Sequence, residues 1–370
     1  MTRVFPASAL NFLIRQLVER GYQCIGPTVR DGAVVYGRVK SVGELPLGIT
    51  DRQDPGHYRL ENDETTGFFG HVVGPTPWKR FLFPPQQRLW RLARDGGGFA
   101  VLSDAEVAPK FAFVGVRACD LVALAMNDRA LSREDAPDPV YTASRRKTII
   151  VAVNCTRAAN TCFCASMGSG PEAREGYDLR LTELTRPEHV FVADAASAVG
   201  ANLLAGLPTE AADDESLESA AKGIRNAVDQ QTRRLEPNEA RRVVAESRDS
   251  DVWERIAERC LSCGNCTSVC PTCFCNRIED VRDLASDGAE RWRFWDSCFS
   301  PGFSELHGGE VRRNTASRYR QWLTHKLDGW HAQFDGAGCV GCGRCITWCP
   351  VGIDLVQEVH AMSGKGEPPR

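Results

Sequence analysis

The segment Cys260–Pro271, CLSCGNCTSVCP, has the cysteine spacing C-x2-C-x2-C-x3-C-P, and the segment Cys339–Pro350, CVGCGRCITWCP, repeats it. Three thiols two residues apart allow a short loop to hold three corners of an iron–sulfur cube, and the proline ends each segment. The same spacing found twice indicates two [4Fe–4S] clusters. Because such clusters exchange single electrons, the two arrays predict an electron-transfer protein.

The ligand sets of the two clusters follow from the position of the fourth cysteine. In two-cluster ferredoxins the last cysteine of each array ligates the other cluster. We therefore expect the first cluster to be held by Cys260, Cys263, Cys266 and Cys349. The second is expected to be held by Cys339, Cys342, Cys345 and Cys270. Zinc is the alternative, since it also takes four thiolates, but its sites usually consist of two separated C-x2-4-C pairs.

Composition limits the class of protein. A chain of 370 residues is long enough for two or three domains. Its net charge of -3 gives no general attraction to nucleic acid or to anionic membranes. No apolar stretch approaches the ~18–20 residues that span a bilayer. Arg15 interrupts the apolar patch Leu10–Val18, so no secretory signal is expected. The 16 cysteines then predict a cytoplasmic protein whose thiols bind metal.

Residues 1–208 are predicted to form an α/β domain. Apolar periodicity predicts an amphipathic helix over residues 8–20, and a β-hairpin follows over residues 23–39. The proline- and glycine-rich stretch 41–98 is predicted to be irregular with short strands. Further along, apolar runs alternate with helical segments, which favours a parallel sheet covered on both faces. These runs are residues 110–116, 147–153 and 189–193, with a helical segment at 121–131.

The rest of the chain is predicted to consist of a connector and a cluster domain. Residues 209–250 are strongly charged and have few large apolar side chains, so they predict a solvated helical connector. Residues 251–370 contain both cysteine arrays. The 68 residues 271–338 separate Cys270 from Cys339, which favours a mainly α-helical dicluster ferredoxin domain over a compact one.

Four further cysteines are candidates for a third [4Fe–4S] cluster. Cys119 and Cys155 fall just past the ends of two predicted strands, where ligands sit in parallel sheets. Cys162 and Cys164 follow Cys155 closely in the sequence. The alternative is a set of buried structural thiols, because free cysteine packs like a small hydrophobic residue.

Other residues carry weaker signals. Cys273, Cys275 and Cys298 have no obvious fourth partner, which favours packing or thiols beside a cluster over a further cluster. A basic run predicts either contact with an acidic partner, an effect on the potential of a nearby cluster, or a solvated helix face. It comprises Arg312, Arg313, Arg318, Arg320, His325 and Lys326. No G-x-G-x-x-G follows a predicted strand, and no phosphate-binding loop or H-E-x-x-H is present in the sequence, so no catalytic residue is predicted.

Several motifs together resemble a known family. In the first half these are GVRACD (residues 115–120), VNC (153–155), CFC (162–164), GSGP (168–171) and Tyr177-Asp178. In the second half they are CLSCGNCTSVCPTCFC (260–275), WDSC (295–298), residues 318–326 and CVGCGRCITWCP (339–350). The chain resembles the β subunits of cytoplasmic NAD(P)-linked [NiFe] hydrogenases, also called sulfhydrogenases or hydrogenase/sulfur reductases. The electron-transfer subunit of anaerobic sulfite reductases is similar over the same regions, from about residue 100 to 355.

The resemblance implies a role within a multisubunit complex. The β subunit passes electrons, while partner subunits hold the nickel–iron site and the flavin with its nicotinamide nucleotide. Two alternatives stay open at this point. One is the corresponding electron-transfer subunit of an anaerobic sulfite reductase. The other is a non-redox scaffold whose metal sites are structural.

Overall fold

The computed structural model describes residues 2–103, 108–282 and 288–364. Its strands are β1 (Arg3–Pro6), β2 (Gln23–Arg30), β3 (Ala33–Arg38), β4 (Ile49–Asp54), β5 (His57–Asn62), β6 (Gln86–Asp95), β7 (Gly98–Ser103), β8 (Phe111–Val116), β9 (Ile149–Val153), β10 (Leu179–Leu184), β11 (Val190–Ala195), β12 (Glu210–Ala211), β13 (Asn276–Arg282), β14 (Ala289–Trp295), β15 (Glu305–Leu306) and β16 (Gly309–Glu310). Its helices are α1 (Leu10–Glu19), α2 (Lys79–Leu82), α3 (Ala118–Leu131), α4 (Pro139–Arg146), α5 (Ala198–Ala205), α6 (Asp214–Asp229), α7 (Pro237–Glu246), α8 (Val252–Arg259), α9 (Asn265–Ser268), α10 (Thr315–Thr324), α11 (Trp330–Phe334), α12 (Arg344–Thr347) and α13 (Leu355–Met362). A π-helical turn, His325–Gly329, joins α10 to α11.

The first half of the chain is built on a mixed sheet. Its strand order among the described residues is β12-β1-β11-β10-β9-β8-β2-β3, and β10, β9, β8 and β2 run parallel. The predicted α/β body is therefore confirmed, with antiparallel strands at both edges. Strand β11, predicted as a third parallel strand, runs antiparallel to β10. Residues 185–189 between them are too few for a parallel crossover, which takes a dozen or more.

Helices cover both faces of this sheet. On one face α1 buries Leu10, Leu13, Ile14 and Leu17 completely, as the predicted amphipathic periodicity requires. The other face packs against α2, α3 and α4, through a second apolar cluster that includes Trp78, Leu121 and Tyr141. Two buried faces account for the continuous apolar sequence of β8 and β9, in which every residue is buried.

A second sheet joins the two halves of the chain. Its order is β13-β14-β6-β7, and all neighbouring strands are antiparallel. The sequence QQRLWRLARD of β6 therefore forms a ten-residue strand inside the stretch predicted to be irregular. Because these side chains are mainly polar, pairing with β14 and β7, rather than a buried face, holds the strand in place.

The segment that contains the cysteine arrays combines helices with strands. Helices α7, α8, α10 and α13 share one apolar core, which includes Trp253, Trp322 and Leu323. Within the predicted solvated connector, α7 buries Ala240, Val243 and Val244 in this core. Strands β13 and β14 also belong to this part of the chain, so the prediction of a mainly helical domain is not confirmed. No helix in the described ranges is long and apolar enough to cross a membrane.

Candidate metal centres

The first thiol group surrounds a cavity beside the first array. Cys260 ends α8, and the left-handed residues Ser262 (φ 51°) and Gly264 (φ 74°) turn the chain that follows. Cys260, Cys263, Cys266 and Cys349 line a common cavity. Burial, followed by the nearby thiolates of Cys260, Cys349 and Cys263, raises the pKa of Cys266. The structure thus brings the four predicted ligands together.

The second thiol group has the same local backbone. Gly341 (φ 62°) and Gly343 (φ 75°) stand at the positions of Ser262 and Gly264 in the first array, and they are left-handed too. Burial, followed by the thiolates of Cys339, Cys342 and Cys270, raises the pKa of Cys345. The fourth cysteine of the first array therefore lies with the second array, as the crossed ligand pattern requires. Cys345 also lines the cavity of the first group, so the two groups are neighbours.

The third group lies at the edge of the large sheet. Cys119 begins α3 directly after β8, and Cys155 follows β9, so both lie past the carboxyl ends of adjacent parallel strands. Cys162 and Cys164 come from the loop that follows. Burial, followed by the nearby thiolates of Cys162 and Cys155, raises the pKa of Cys164. Burial, followed by the charges of Asp120 and Cys164, raises the pKa of Cys119. The four cysteines predicted from non-adjacent segments therefore meet.

The chemistry of these groups fits iron–sulfur clusters. Each group offers four thiols, which is the usual donor set of a [4Fe–4S] cluster. Burial raises the pKa of most of them, that of Cys339 to about 12. Ligation requires the thiolate, so cluster binding must release protons from these sites. In the parts of the chain that are described, no three His, Cys, Asp or Glu side chains are grouped around a point suited to a single ion.

Lys326 is a buried cation beside the second group. Its ammonium donates hydrogen bonds to Cys270 Sγ at 3.2 Å, to Thr272 Oγ1 at 3.2 Å and to the Gly338 carbonyl at 3.0 Å. Burial disfavours its charge, but the thiolates of Cys270 and Cys273 more than compensate and raise the pKa of Lys326. Of the predicted basic run, Arg313 and Arg320 are exposed to solvent, whereas Lys326 directly contacts a predicted ligand.

Two further buried side chains contact the third group. Gln231 donates to Cys164 Sγ at 3.5 Å and accepts a hydrogen bond from the Ala165 backbone N–H at 2.9 Å. Arg117 is 2% exposed and donates to the carbonyls of Phe69 and His71, both at 2.7 Å. Burial raises the pKa of Cys155, whereas the nearby Arg117 charge opposes this effect. Neither residue was predicted to take part in a site, because their contacts are far apart in sequence.

A buried ion pair connects the second and third groups. Arg344 lies next to Cys345, and Asp120 lies next to Cys119. The two side chains are 0% and 1% exposed, and Arg344 Nη1 lies 2.9 Å from Asp120 Oδ1. Arg344 Nε also donates to the Gly74 carbonyl at 2.9 Å. This pair therefore attaches the second array to the α/β body, and nothing in the sequence pattern indicated it.

Backbone contact between the second and third groups gives a test of this packing. The Phe163 N–H donates to the Gly341 carbonyl at 2.8 Å, and a Cβ on Gly341 would lie 2.7 Å from the Phe163 carbonyl. We expect Gly341→Ala to lower the free energy of unfolding by about 1–3 kcal/mol, since it adds this clash to a left-handed φ. Urea unfolding under anaerobic conditions measures the change.

A matched control is Gly97→Ala. Gly97 has no left-handed φ and no atom within 4 Å of an added Cβ. We expect this variant to stay within about 0.5 kcal/mol of the parent chain. Equal losses in the two variants would contradict close packing at Gly341.

Comparison with known proteins assigns the family. The model for a 4Fe-4S dicluster domain matches residues 259–353, which include both arrays. Sulfhydrogenase 2 subunit beta of Pyrococcus furiosus is 30% identical over 333 residues, which cover 87% of this chain and 93% of that protein. No solved structure matches the chain. With its dicluster domain and near full-length similarity, the chain belongs to the family of sulfhydrogenase β subunits, which confirms the resemblance found in its sequence.

Proposed function

We propose that this chain is the electron-transfer subunit of a cytoplasmic [NiFe] hydrogenase complex of the sulfhydrogenase type. It relays electrons through [4Fe–4S] clusters between the hydrogenase module and a flavin/NAD(P) module or another acceptor. Those two modules are the expected partner subunits. Family membership supports this proposal, together with the dicluster domain. The observation that carries it is the meeting of three four-thiol groups next to one another.

The order of the three groups supports a relay. Cys342 of the second group adds to the raised pKa of Cys119, Cys162 and Cys164, for each of which burial is the first cause. Cys270, also in the second group, adds to the raised pKa of Cys266 in the first group, for which burial is again the first cause. The second group therefore lies between the other two. Electrons that enter at one end can pass to the other through neighbouring sites.

The ligand sets can be tested by removing single thiols. We propose that Cys349 serves the first cluster and Cys270 the second, and that Cys119, Cys155, Cys162 and Cys164 hold a third. Cys349→Ser is then expected to remove the cluster of the first array, and Cys155→Ser that of the third group. Each variant should lose about four Fe per chain. Cys24→Ser is the matched control, because Cys24 is a buried thiol in the hairpin, away from all three groups.

Iron analysis and EPR of anaerobically purified protein measure these losses. If Cys349→Ser removed the signal of the second array instead, the crossed ligand set would be wrong. If Cys155→Ser lost no iron, the third group would be structural thiols. Redox titration tests the relay itself, because clusters that are neither reduced nor reoxidised at physiological potentials would exclude electron transfer.

The identity of the complex is tested by purifying the chain with its native partners. Nickel in the purified complex is expected, in line with a hydrogenase module. Sirohaem without nickel would instead identify the complex as an anaerobic sulfite reductase. A chain that purifies without partners and shows no reducible clusters would contradict both.

A further inference from the structure

Three cysteines outside the three groups line a common cavity. Cys275 directly precedes β13 and Cys298 follows β14, and these strands pair with Asn276 opposite Trp295. The pairing continues beyond the strands, since the Asp296 N–H donates to the Cys275 carbonyl at 2.9 Å. Cys275 and Cys298, from distant parts of the sequence, thus line the same cavity. Cys273 lines the same cavity.

The local sequence repeats that of the third group. Residues 272–275 read Thr-Cys-Phe-Cys, as do residues 161–164. In the third group this tetrapeptide supplies two thiols, and two strand ends supply Cys119 and Cys155. At the second tetrapeptide one strand end supplies Cys298. Each site therefore contains a loop with the same tetrapeptide, and the second site has one thiol fewer than the third group.

Two buried lysine side chains lie beside the thiols of this cavity. Lys79 and Lys326 are 3% and 4% exposed. Lys79 donates to the Cys273 carbonyl and lies 4.3 Å from the centre of the Trp295 ring, and Lys326 Nζ lies 3.6 Å from Cys273 Sγ. Within the described ranges, neither lysine forms an ion pair with a carboxylate. Lys326 already faces Cys270 of the second group, so Lys79 is the buried ammonium that lacks a counter-charge, and these thiols supply one in the anionic, metal-bound state.

We propose that Cys273, Cys275 and Cys298 hold a further [4Fe–4S] cluster, whose fourth iron faces the cavity instead of a thiolate. This goes beyond the proposed relay, which involves only the three four-thiol groups. The cavity reaches His325 and Gln321, and among its described lining residues the cysteines are these three. The fourth iron is therefore open to a small ligand from solvent, unlike the irons of a cluster held by four thiolates.

The position of this site connects it to the relay. Lys326 Nζ lies between Cys273 and Cys270 of the second group, 3.6 Å and 3.2 Å from the two sulfur atoms. Cys298 lies close enough to Cys266 of the first group for the two thiols to influence each other. The further cluster thus lies beside both ferredoxin clusters. An electron can reach its open iron from either of them.

Iron content gives the first test. We expect Cys298→Ser and Cys275→Ser each to lose about four Fe per anaerobically prepared chain relative to the parent protein. Cys24→Ser is expected to lose none. The difference in iron content between variant and parent does not depend on whether the third group holds a cluster. Cys349→Ser tests the ferredoxin arrays separately. Full iron content in both site variants would overturn the proposal.

A second measurement depends on the open iron itself. Mild oxidation with ferricyanide is expected to convert this cluster according to [4Fe–4S]2+ → [3Fe–4S]+ + Fe2+ + e−, with ferricyanide accepting the electron. The product gives its own EPR signal, which is expected in the parent chain and in Cys24→Ser and should be lost in Cys298→Ser. An unchanged signal in Cys298→Ser would overturn the proposal, even if the variant had lost iron through misfolding. A reversible Cys275–Cys298 disulfide in the fully iron-loaded parent would overturn it as well.

Discussion

Lys326→Met is expected to make the midpoint potential of the second-array cluster more negative by on the order of 100 mV. The ammonium of Lys326 lies 3.2 Å from Cys270 Sγ and is almost completely buried. A unit charge about 6 Å from the cluster centre contributes about 2–3 kcal/mol at an effective dielectric constant near 20. For one electron, 1.4 kcal/mol corresponds to about 59 mV. Methionine keeps the straight side chain and removes the charge, so the reduced cluster loses this stabilisation.

EPR-monitored redox titration of the purified protein measures the shift. Arg320→Met is the matched control, since Arg320 belongs to the same basic run but is exposed to solvent. Screening by water limits its effect to a small fraction of that of Lys326. Equal potentials in Lys326→Met and the parent chain would show that this charge does not act on the second cluster.

Arg344→Met is expected to lower the free energy of unfolding by about 3–5 kcal/mol, because it leaves the buried carboxylate of Asp120 without its partner. Asp120 is 1% exposed, and its remaining neutral contact is the Tyr36 hydroxyl at 3.4 Å. The Gly74 carbonyl also loses the hydrogen bond donated by Arg344. The second array should then detach from the α/β body before the rest of the molecule unfolds.

Anaerobic urea unfolding, followed by tryptophan fluorescence and by visible absorbance, measures this loss. The control is Arg242→Met, which removes the pair of Arg242 with Glu246 on the exposed face of α7. Exposed pairs of this kind contribute about 0.3–0.5 kcal/mol. A double variant, Arg344→Met with Asp120→Leu, should regain part of the lost stability. If the single variant were as stable as the control, the pair would not contribute to the attachment of the array.

The grouping of the thiols could be predicted from sequence because much of it is encoded locally. The spacing of Cys260 to Cys270, repeated from Cys339, identifies a cluster loop without knowledge of the fold. The third group required one more step. Since β8 and β9 were recognised as buried parallel strands, their carboxyl ends had to meet, and Cys119 and Cys155 with them.

Contacts between the halves of the chain could not be predicted in the same way. Strand β6 has a polar sequence, and its place is determined by pairing with β14 far along the chain. Lys326 and Arg344 are ordinary basic residues in the sequence, and only the tertiary structure shows that each is buried against an acidic group or a thiol. Cys298 likewise became a candidate ligand only when the β13–β14 pairing brought it to Cys275.

The four-stranded sheet that joins β6 and β7 to β13 and β14 has a consequence for how this protein is made. Strand β6 leaves the ribosome long before its partner β14. One edge of the β6–β7 hairpin therefore stays unpaired while nearly two hundred further residues are synthesised. Such an edge can pair with another nascent chain. Because this edge stays unpaired until Trp295 has emerged, overproduction is expected to yield aggregates beside the folded protein.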